Sequence, residues 1–458
     1  MPSQTSILLA VFVALTCACA STGAAPLARC DLAIEHVNVV PMDYERVLTD
    51  QTVIIAEGRI AAMAAASPSP AQCDASIDGT GRYLMPGLND MHVHVEASAF
   101  VEAFGLPAAP IPFEDVMFPY LANGVTGVRV MSGSPDLLAF RTSAHGPAPR
   151  LMIASPMLSG SPPILPEPAT RVLETPEAAR AAIAEFADAG YDFIKIRGNL
   201  ARPVLEAVFA AATARGLDVD GHVPNLADWS NADLFSGRQR GIAHLDELSL
   251  RIGDRSSDPL TFARGLLGCH CYVTSTMTVE QSVVAQLRDY DAVAARSDTR
   301  FVHPLLRNAF WARGSNPYLA ERPDPAFFER LLVDDMNLAR VFNQEGVTLL
   351  AGTDALSPMI IPGVSMPDEL ALLVQAGLSP YDALRAATRT PAETFHHFAD
   401  VGVLAVGRTA NAILLRANPL ADINAVRRPD AIILEGRYFD RDDIDIRMEE
   451  IASRFAAQ

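Results

Sequence analysis

The feature that most constrains the fold is a regular alternation of short apolar segments and helical segments between residues 88 and 354. The apolar segments predict strands, and strands joined by helical crossovers lie parallel to one another. These segments are LNDMHVH, VTGVRVM, RLMIASP, YDFIKIR, LDVDGHV, GIAHL, CYVTSTM and VTLLAGTD. Eight of them predict an α/β protein with a (β/α)8 TIM barrel, which we place at residues 86–398.

The two ends of the chain have a different pattern. Residues 26–85 contain short strand-like segments separated by turn residues such as Glu57-Gly58. The segments NAILLRA and DAIILEGRYF, within residues 399–458, have the same character. We expect both ends to combine in one small composite β-sandwich, with a helix at the end of the chain.

Two helix starts are marked by capping residues. Thr175 followed by Pro176 predicts the start of a helix that Gly190 ends. The tetrapeptide from Thr390 to Glu393 has the pattern of a capping box, which predicts another helix start at that threonine.

The N-terminus has the pattern of an export leader. The apolar run Ile7–Leu15 is followed by an A-x-A site that ends at Ala20, so we expect residues 1–20 to be a signal peptide. The mature protein would then be periplasmic or secreted. A lipid anchor on Cys17 or Cys19 is the alternative, and no later segment is long and apolar enough to predict a membrane span.

Export bears on the cysteines that follow the leader. In an oxidising compartment Cys30 and Cys73 could pair, because both flank strand-like segments. The spacing in Cys269-His270-Cys271 is too tight for an easy disulfide, so we expect two buried thiols there.

Composition and charge exclude several classes of function. Half of the residues are hydrophobic and 20% are charged, which indicates one large buried core. The formal net charge of −18 argues against binding to nucleic acid and against docking on anionic lipid through a basic surface. A small-molecule substrate is the expected partner, and a homo-oligomer is compatible with the sequence.

Four of the ten histidines and one aspartate lie at the carboxyl ends of predicted strands. His92 and His94 are two residues apart, so both side chains point to the same side of the first strand. His222 and His244 end the fifth and sixth strands, and Asp354 ends the eighth. Barrel enzymes carry their chemistry at this end, and imidazole with carboxylate suits Zn²⁺ and related ions. The pattern therefore predicts a metal site.

Only one of the 36 basic residues is a lysine, Lys195, and it lies in the fourth predicted strand. A buried ammonium group beside metal cations would be repelled and desolvated. An uncharged lysine amine can instead react with CO₂ and form a carbamate, an anionic ligand, whereas the guanidinium of arginine stays protonated. We therefore expect a carbamate on Lys195.

Taken together, these motifs resemble those of the amidohydrolase superfamily. PGLNDMHVH, FIKIR, GHV, AHL and AGTD occur in that order, and the resemblance extends to AATRTPAE and ANPLADI. The more specific resemblance is to the metal-dependent dipeptidase and prolidase-like branch, which includes imidazolonepropionase-related sequences. One departure concerns the second strand, where many relatives have an acid after the arginine and this chain has Val130 after Arg129.

The resemblance implies two divalent ions, with zinc as the expected metal. It assigns one ion to His92, His94 and Asp354, and the second to His222 and His244. The carboxylated lysine would bridge the two ions.

Such a site implies hydrolysis of an amide by a metal-activated hydroxide, with Asp354 as general base and acid. We expect an exported amidohydrolase for small amides, with dipeptides or N-acyl amino acids favoured. Hydrolysis of a cyclic amide, a lactone or another ester on the same site is the enzyme alternative. An inactive, exported metal-binding barrel is the non-enzyme alternative.

Several further residues are candidates for contact with the substrate or with metal ligands. Arg197 shares the face of the lysine and could bind a substrate carboxylate or form a structural ion pair, and Arg129 has the same two alternatives. Tyr318 lies in a long segment before the eighth strand and could line the pocket. Asp246 and Glu247 follow a histidine and could orient a metal ligand.

Overall fold

The computed structural model describes residues 29–65, 72–95, 111–143, 146–163, 170–255, 258–320 and 324–457. The predicted signal peptide, with its two cysteines, lies outside the described residues.

The strands are β1 (Cys30–Val39), β2 (Leu48–Ala56), β3 (Arg59–Ala65), β4 (Cys73–Asp78), β5 (Tyr83–Pro86), β6 (Leu88–Val93), β7 (Val125–Val130), β8 (Arg150–Ile153), β9 (Met157–Ser159), β10 (Thr170–Val172), β11 (Ile194–Ile196), β12 (Val219–Gly221), β13 (Gly241–Ile242), β14 (Tyr272–Thr274), β15 (Thr348–Leu350), β16 (Ala412–Leu415), β17 (Ala431–Leu434) and β18 (Arg437–Asp440). The α-helices are α1 (Phe113–Ala122), α2 (Pro135–Thr142), α3 (Pro176–Ala189), α4 (Arg202–Arg215), α5 (Asn231–Leu234), α6 (Asp246–Arg255), α7 (Pro259–Gly268), α8 (Thr278–Ala294), α9 (Pro304–Ala309), α10 (Pro317–Ala320), α11 (Pro325–Glu345), α12 (Met366–Gln375), α13 (Pro380–Ala386), α14 (Arg389–Thr394) and α15 (Arg441–Ala456).

Each of the eight predicted barrel segments contains a strand, and these strands lie in two parallel sheets. One sheet has the order β6-β7-β8, and the other has the order β10-β9-β11-β12-β13-β14-β15. Isolated parallel bridges pair Ala154, just after β8, with Phe193, just before β11, and Val93 with Ala355, after β15, so the two sheets contact each other at two places. This α/β arrangement is compatible with the predicted (β/α)8 barrel. The strands β9 and β10 are additions that the sequence pattern did not predict.

Strands from both ends of the chain lie in one further sheet. Its order is β18-β17-β16-β5-β1-β2-β3, and β4 pairs with β1 outside this path. The junction between the two ends is the antiparallel pair of β5 and β16. The described end strands thus share one sheet, and their arrangement as a sandwich stays a prediction.

The described cysteines form two disulfides. Cys30 and Cys73 face each other in the parallel pair of β1 and β4 and are bonded, as the sequence allowed. Cys269 and Cys271 are also bonded, so the prediction of two free thiols was wrong. The reason is local backbone geometry, because His270 takes a left-handed φ of 54° that turns the chain between them.

One of the two predicted helix starts is confirmed. The Thr175 side chain accepts a hydrogen bond from the backbone N–H of Ala178, and Gly190, with a φ of 88°, ends α3. The predicted capping box was wrong, because α14 begins at Arg389, one residue before the expected cap. Glu393 instead accepts a hydrogen bond from the Arg389 side chain, so its carboxylate is not used at the helix start.

The parallel strands are buried on both faces, which is usual for parallel sheets. Every residue of β6 and β7 is buried, and a single large apolar cluster joins these strands to the helices around them. In the part of the chain that the structure describes, no helix is long and apolar enough to cross a membrane.

Candidate metal centre

The structure brings all four predicted histidine ligands together at the carboxyl ends of the parallel strands. His92 lies near the end of β6, His94 and His222 directly follow β6 and β12, and His244 lies just after β13. The centroid of the His92 ring is 5.5 Å from that of His94 and 4.5 Å from that of His244. The rings of His222 and His244 are 4.9 Å apart.

Asp354 completes a compact group with the first two histidines. Its Oδ1 lies 3.2 Å from Nε2 of His92 and 3.1 Å from Nε2 of His94. Among the described His, Cys, Asp and Glu side chains, this is the one group of three whose ligand atoms all lie within 4.8 Å. Asp354 has a left-handed φ of 58°, its N–H donates to the carbonyl of His92, and its Oδ2 accepts from Ser357 at 2.7 Å.

Two buried carboxylates hold backbone segments near these ligands, and the sequence analysis missed both. Asp90 accepts hydrogen bonds from the backbone N–H of His92 and from both the N–H and the hydroxyl of Thr353. Glu369, on α12, accepts from the backbone N–H of Thr278 at the end of the loop after β14. Asp90 could have been found, because it lies two residues before His92 on the same strand face. Nothing local to Glu369 indicates its contact.

The protonation states of the group suit a cation. Burial lowers the pKa of His92 to about 3 and holds the pKa values of His222 and His244 well below their usual range. These imidazoles are therefore neutral near pH 7 and each has a lone pair. Burial opposes ionisation of Asp354, but His92 and His94 outweigh it and keep the pKa of Asp354 well below its usual range. Neutral imidazoles and an ionised carboxylate are ligands that a divalent ion binds, so the residues fit the predicted metal.

Lys195 lies on β11 with its side chain fully buried. Its Nζ has no hydrogen-bond partner among the described residues, although its strand neighbour on β12 is Asp220. Burial lowers the pKa of Lys195 to about 8, so an appreciable fraction of the amine is uncharged near neutral pH. An uncharged, unpaired amine is what carbamate formation requires, and the site fits that chemistry.

The two remaining histidines differ in how their rings are held. Nδ1 of His244 lies 2.8 Å from the hydroxyl oxygen of Thr276. Nε2 of His222 lies 2.9 Å from Nη1 of Arg197, while its Nδ1 is buried and has no hydrogen-bond partner among the described residues. Each ring therefore has one nitrogen within hydrogen-bonding distance of a neighbouring side chain. The loop residue Thr276 carried no signal in the sequence.

Arg129 lies below the histidines and is fully buried in the interior of the parallel strands. Its Nη2 donates to Asp220 at 2.5 Å and to the hydroxyl of Tyr272 at 3.2 Å, and its guanidinium lies 4.1 Å from the centre of the Phe193 ring. This placement favours the structural ion pair, the alternative to substrate binding that the sequence left open.

Arg197 and Tyr318 lie next to residues of the predicted metal site. Arg197 lines a pocket of about 520 Å³ together with His222 and Glu247. Tyr318, on α10, makes a side-chain hydrogen bond with Ser357, the residue that donates to the aspartate of the metal group. Burial, followed by the charge of that aspartate, raises the pKa of Tyr318. Both residues are therefore close to the predicted ligands.

Comparison with known proteins agrees with this geometry. The sequence model of the Amidohydrolase family matches residues 83–437, and the chain belongs to this family. The imidazolonepropionase of Chromobacterium violaceum is 25% identical over 419 residues, which cover 80% of this chain and 85% of that protein. The adenine deaminase of Chelativorans sp. is 29% identical over 204 residues, which cover 42% of this chain and only 32% of the deaminase.

Among solved structures, a Xaa-Pro dipeptidase with bound methionine in its active site is similar in fold. Its TM-score is 0.66 at 17% identity, and the match covers 89% of this chain and 99% of the dipeptidase.

Proposed function

We propose that this protein is an exported hydrolase with two divalent metal ions that cleaves small amides, with dipeptides or N-acyl amino acids favoured. The observation that carries the proposal is the convergence of neutral histidines, an ionised Asp354 and an unpaired, buried Lys195 at one end of the parallel strands. The fold of the similar Xaa-Pro dipeptidase supports the choice of a small peptide-like substrate. In this proposal the two parallel sheets close into the (β/α)8 barrel.

The ligands divide into two sets. His92, His94 and Asp354 would hold one ion, His222 and His244 would hold the other, and a carbamate on Lys195 would be their shared anionic ligand. Two such ions, with zinc expected, would acidify a water molecule and polarise the substrate carbonyl.

The residues around the ions would transfer the proton and contact the substrate. Asp354 turns Oδ1 toward the histidines and keeps Oδ2 at Ser357, so the carboxylate is held where it can take a proton from the attacking water. It then returns the proton to the leaving amine, which could not depart easily as an anion. Arg197 and Tyr318 are the candidates for substrate contact, and the pocket of about 520 Å³ is large enough for a dipeptide-sized molecule.

Metal analysis combined with turnover tests the proposal. Mature protein prepared with Zn²⁺ and bicarbonate should contain close to two ions per chain and hydrolyse members of a library of dipeptides and N-acyl amino acids. Removal of the ions with a chelator should abolish turnover, and adding them back should restore it.

Other results would point elsewhere. A stoichiometry that stays near one ion contradicts the bridged pair. If the protein binds two ions but turns over only cyclic amides, lactones or other esters, the result favours the alternative enzyme activity on the same site. Two ions with no turnover on any of these compounds favours a protein that only binds metal.

The export part of the proposal has its own test. Mass spectrometry of protein made from the full-length sequence should show a mature chain that begins after Ala20. A lipid on Cys17 or Cys19 would support anchoring instead, and an intact N-terminus in the cytoplasmic fraction would contradict export.

A further inference from the structure

Two side chains, Arg197 and Glu247, approach the ring of His222 at the same nitrogen. Nη1 of Arg197 lies 2.9 Å from Nε2, and Oε1 of Glu247 lies 4.0 Å from that same atom. Both side chains also line the pocket beside the ring. The other nitrogen, Nδ1, is buried and has no hydrogen-bond partner among the described residues. A guanidinium and a carboxyl group therefore lie near the same nitrogen, and the second nitrogen has no partner among the described residues.

The proton count of a neutral imidazole makes the Arg197 contact incompatible with metal binding. A guanidinium has only N–H donors, so Arg197 needs a lone pair on Nε2, which puts the ring proton on Nδ1. A metal on Nδ1 needs the lone pair there and moves the proton to Nε2, where it would face another donor. A metal on Nε2 would take the place of the guanidinium nitrogen itself. In either case Arg197 must leave the ring of His222.

We propose that Glu247 is a positioning residue for His222 and replaces Arg197 as its partner when metal binds. This inference rests on the proposed pair of metal ions. The Glu247 carboxylate accepts the hydrogen bond from Nε2–H and turns the buried Nδ1 toward the second ion. A carboxylate behind a metal-bound histidine fixes the tautomer and the ring orientation, which strengthens metal binding. The sequence analysis expected Glu247 to orient a ligand, and the structure identifies His222 as the ligand it would orient.

The same exchange frees Arg197 for the substrate. Arg197 lines the pocket, so a guanidinium that leaves the histidine can turn its N–H groups toward an anionic group in that space. A planar guanidinium binds a carboxylate through two parallel hydrogen bonds. Metal loading and carboxylate binding should then favour each other, because linkage between two binding sites is reciprocal. The substrate class that fits is an amide with a free carboxylate near the scissile bond.

The role of Glu247 is tested by measuring metal affinity. Metal-stripped wild type, Glu247→Gln and Arg251→Gln are titrated with Zn²⁺ against a chromophoric chelator, in buffer with bicarbonate. Arg251 is the control because it lines the same pocket while its hydrogen bonds go to Asn231 and the carbonyl of Trp229. Glu247→Gln should weaken the second ion by about 10–100-fold and leave the first unchanged. Arg251→Gln should leave both affinities as in wild type.

The outcomes separate this inference from the proposed function. If wild type binds two ions and Glu247→Gln binds the second equally well, the positioning role is overturned and the metal pair stands. If both affinities fall together, the residue acts on general stability and the inference is also overturned. If wild type itself binds fewer than two ions, the proposed metal pair fails.

The release of Arg197 is tested with N-acetylglycine and its amide, N-acetylglycinamide, by calorimetry. In the Asp354→Asn background, which should keep its ions without hydrolysing the ligand, the zinc-loaded protein should bind N-acetylglycine at least about tenfold more tightly than the metal-free protein does, with no such gain for the amide. Arg197→Gln should remove this gain. A gain that persists in Arg197→Gln comes from the metal alone and overturns the part of the proposal that concerns Arg197.

Discussion

The two ends of the parallel strands differ in whether their buried polar groups have hydrogen-bond partners. At the carboxyl ends, ring nitrogens of His92 and His222 and the amine of Lys195 are buried and have no hydrogen-bond partner among the described residues. Leaving such groups unpaired costs free energy, about 1–3 kcal/mol for each group. A bound ligand offsets that free-energy cost when it supplies the missing contacts.

At the amino ends, the buried carboxylate of Asp192 is paired by side chains and by the backbone. Asp192, just before β11, accepts hydrogen bonds of 2.6 Å from Arg141 and from the backbone N–H of Ile153, and lies 3.0 Å from Nε2 of His397. Chemistry in parallel barrels lies at the carboxyl end, and the opposite end contributes stability. In this comparison the unpaired polar atoms of His92, His222 and Lys195 lie where a ligand is proposed, whereas Asp192 is paired at the end that contributes stability.

The largest effect is expected for Lys195→Arg, which should abolish turnover. The carbamate brings a negative charge, and arginine would place a fixed positive charge beside the ions. Between two unit charges about 4 Å apart, at an effective dielectric of about 20, the interaction energy is about 4 kcal/mol. It is attractive between the carbamate and an ion and repulsive between an arginine and an ion. The second ion should be lost first, as measured by elemental analysis.

Lys195→Ala is the matched control and should be less harmful, because it leaves a cavity without the wrong charge. Added propionate should restore part of its activity by occupying that cavity. If Lys195→Arg binds two ions and turns over normally, the carboxyl end does not depend on the lysine as proposed.

The next largest effect is expected for Asp354→Asn. The amide oxygen can still bind an ion, but the side chain can no longer accept a proton, so turnover should fall by about 10²–10⁴-fold. Metal content and kcat should be measured on the same preparation. Near wild-type turnover with a full metal complement would show that Asp354 does not transfer the proton.

Arg129→Met tests the region between the two ends. It leaves the Asp220 carboxylate buried without its partner, and breaking a buried pair in this way costs about 3–5 kcal/mol. Urea unfolding should show this loss, and Arg129→Met combined with Asp220→Asn should recover part of it. If the single variant is as stable as wild type but binds substrate more weakly, Arg129 belongs to the substrate site after all.

The smallest effect is expected at the amino end, for Asp192→Asn. Burial opposes ionisation of Asp192, but the hydrogen bonds from His397 and Ile153 outweigh it and lower its pKa. A lowered carboxyl pKa stabilises the fold above the pKa of the unfolded chain, and this contribution is lost as the pH falls through the folded-state pKa. The variant should therefore be less stable at pH 7 by about 1–3 kcal/mol, and the difference should shrink in acid.

Unfolding curves at a series of pH values measure that difference, and zinc analysis of the same variant provides the control. Metal content should stay as in wild type. A loss of metal in Asp192→Asn would mean that the two ends are not independent.

Much of the fold and of the ligand group could be predicted because the signals are local. Alternation of apolar and polar positions marks strands, and Thr175 and Gly190 mark the ends of a helix through contacts within a few residues. The capping box was predicted wrongly at Thr390 because the same local pattern also fits a residue inside a helix. The disulfide of Cys269 with Cys271 was missed because it depends on a left-handed backbone angle at the residue between them.

The sequence by itself determined which side chains stand at the carboxyl ends of the strands, since strand periodicity and strand ends can be read from adjacent residues. It also singled out Lys195, because one lysine among so many arginines is visible without a structure. Only the tertiary structure decided which of these groups are paired. Arg129 meets Asp220 across 91 residues, and Oε1 of Glu247 lies 4.0 Å from Nε2 of His222, which is 25 residues earlier in the chain. Such pairings depend on how strands and loops distant in sequence pack together, and that packing is a property of the whole fold.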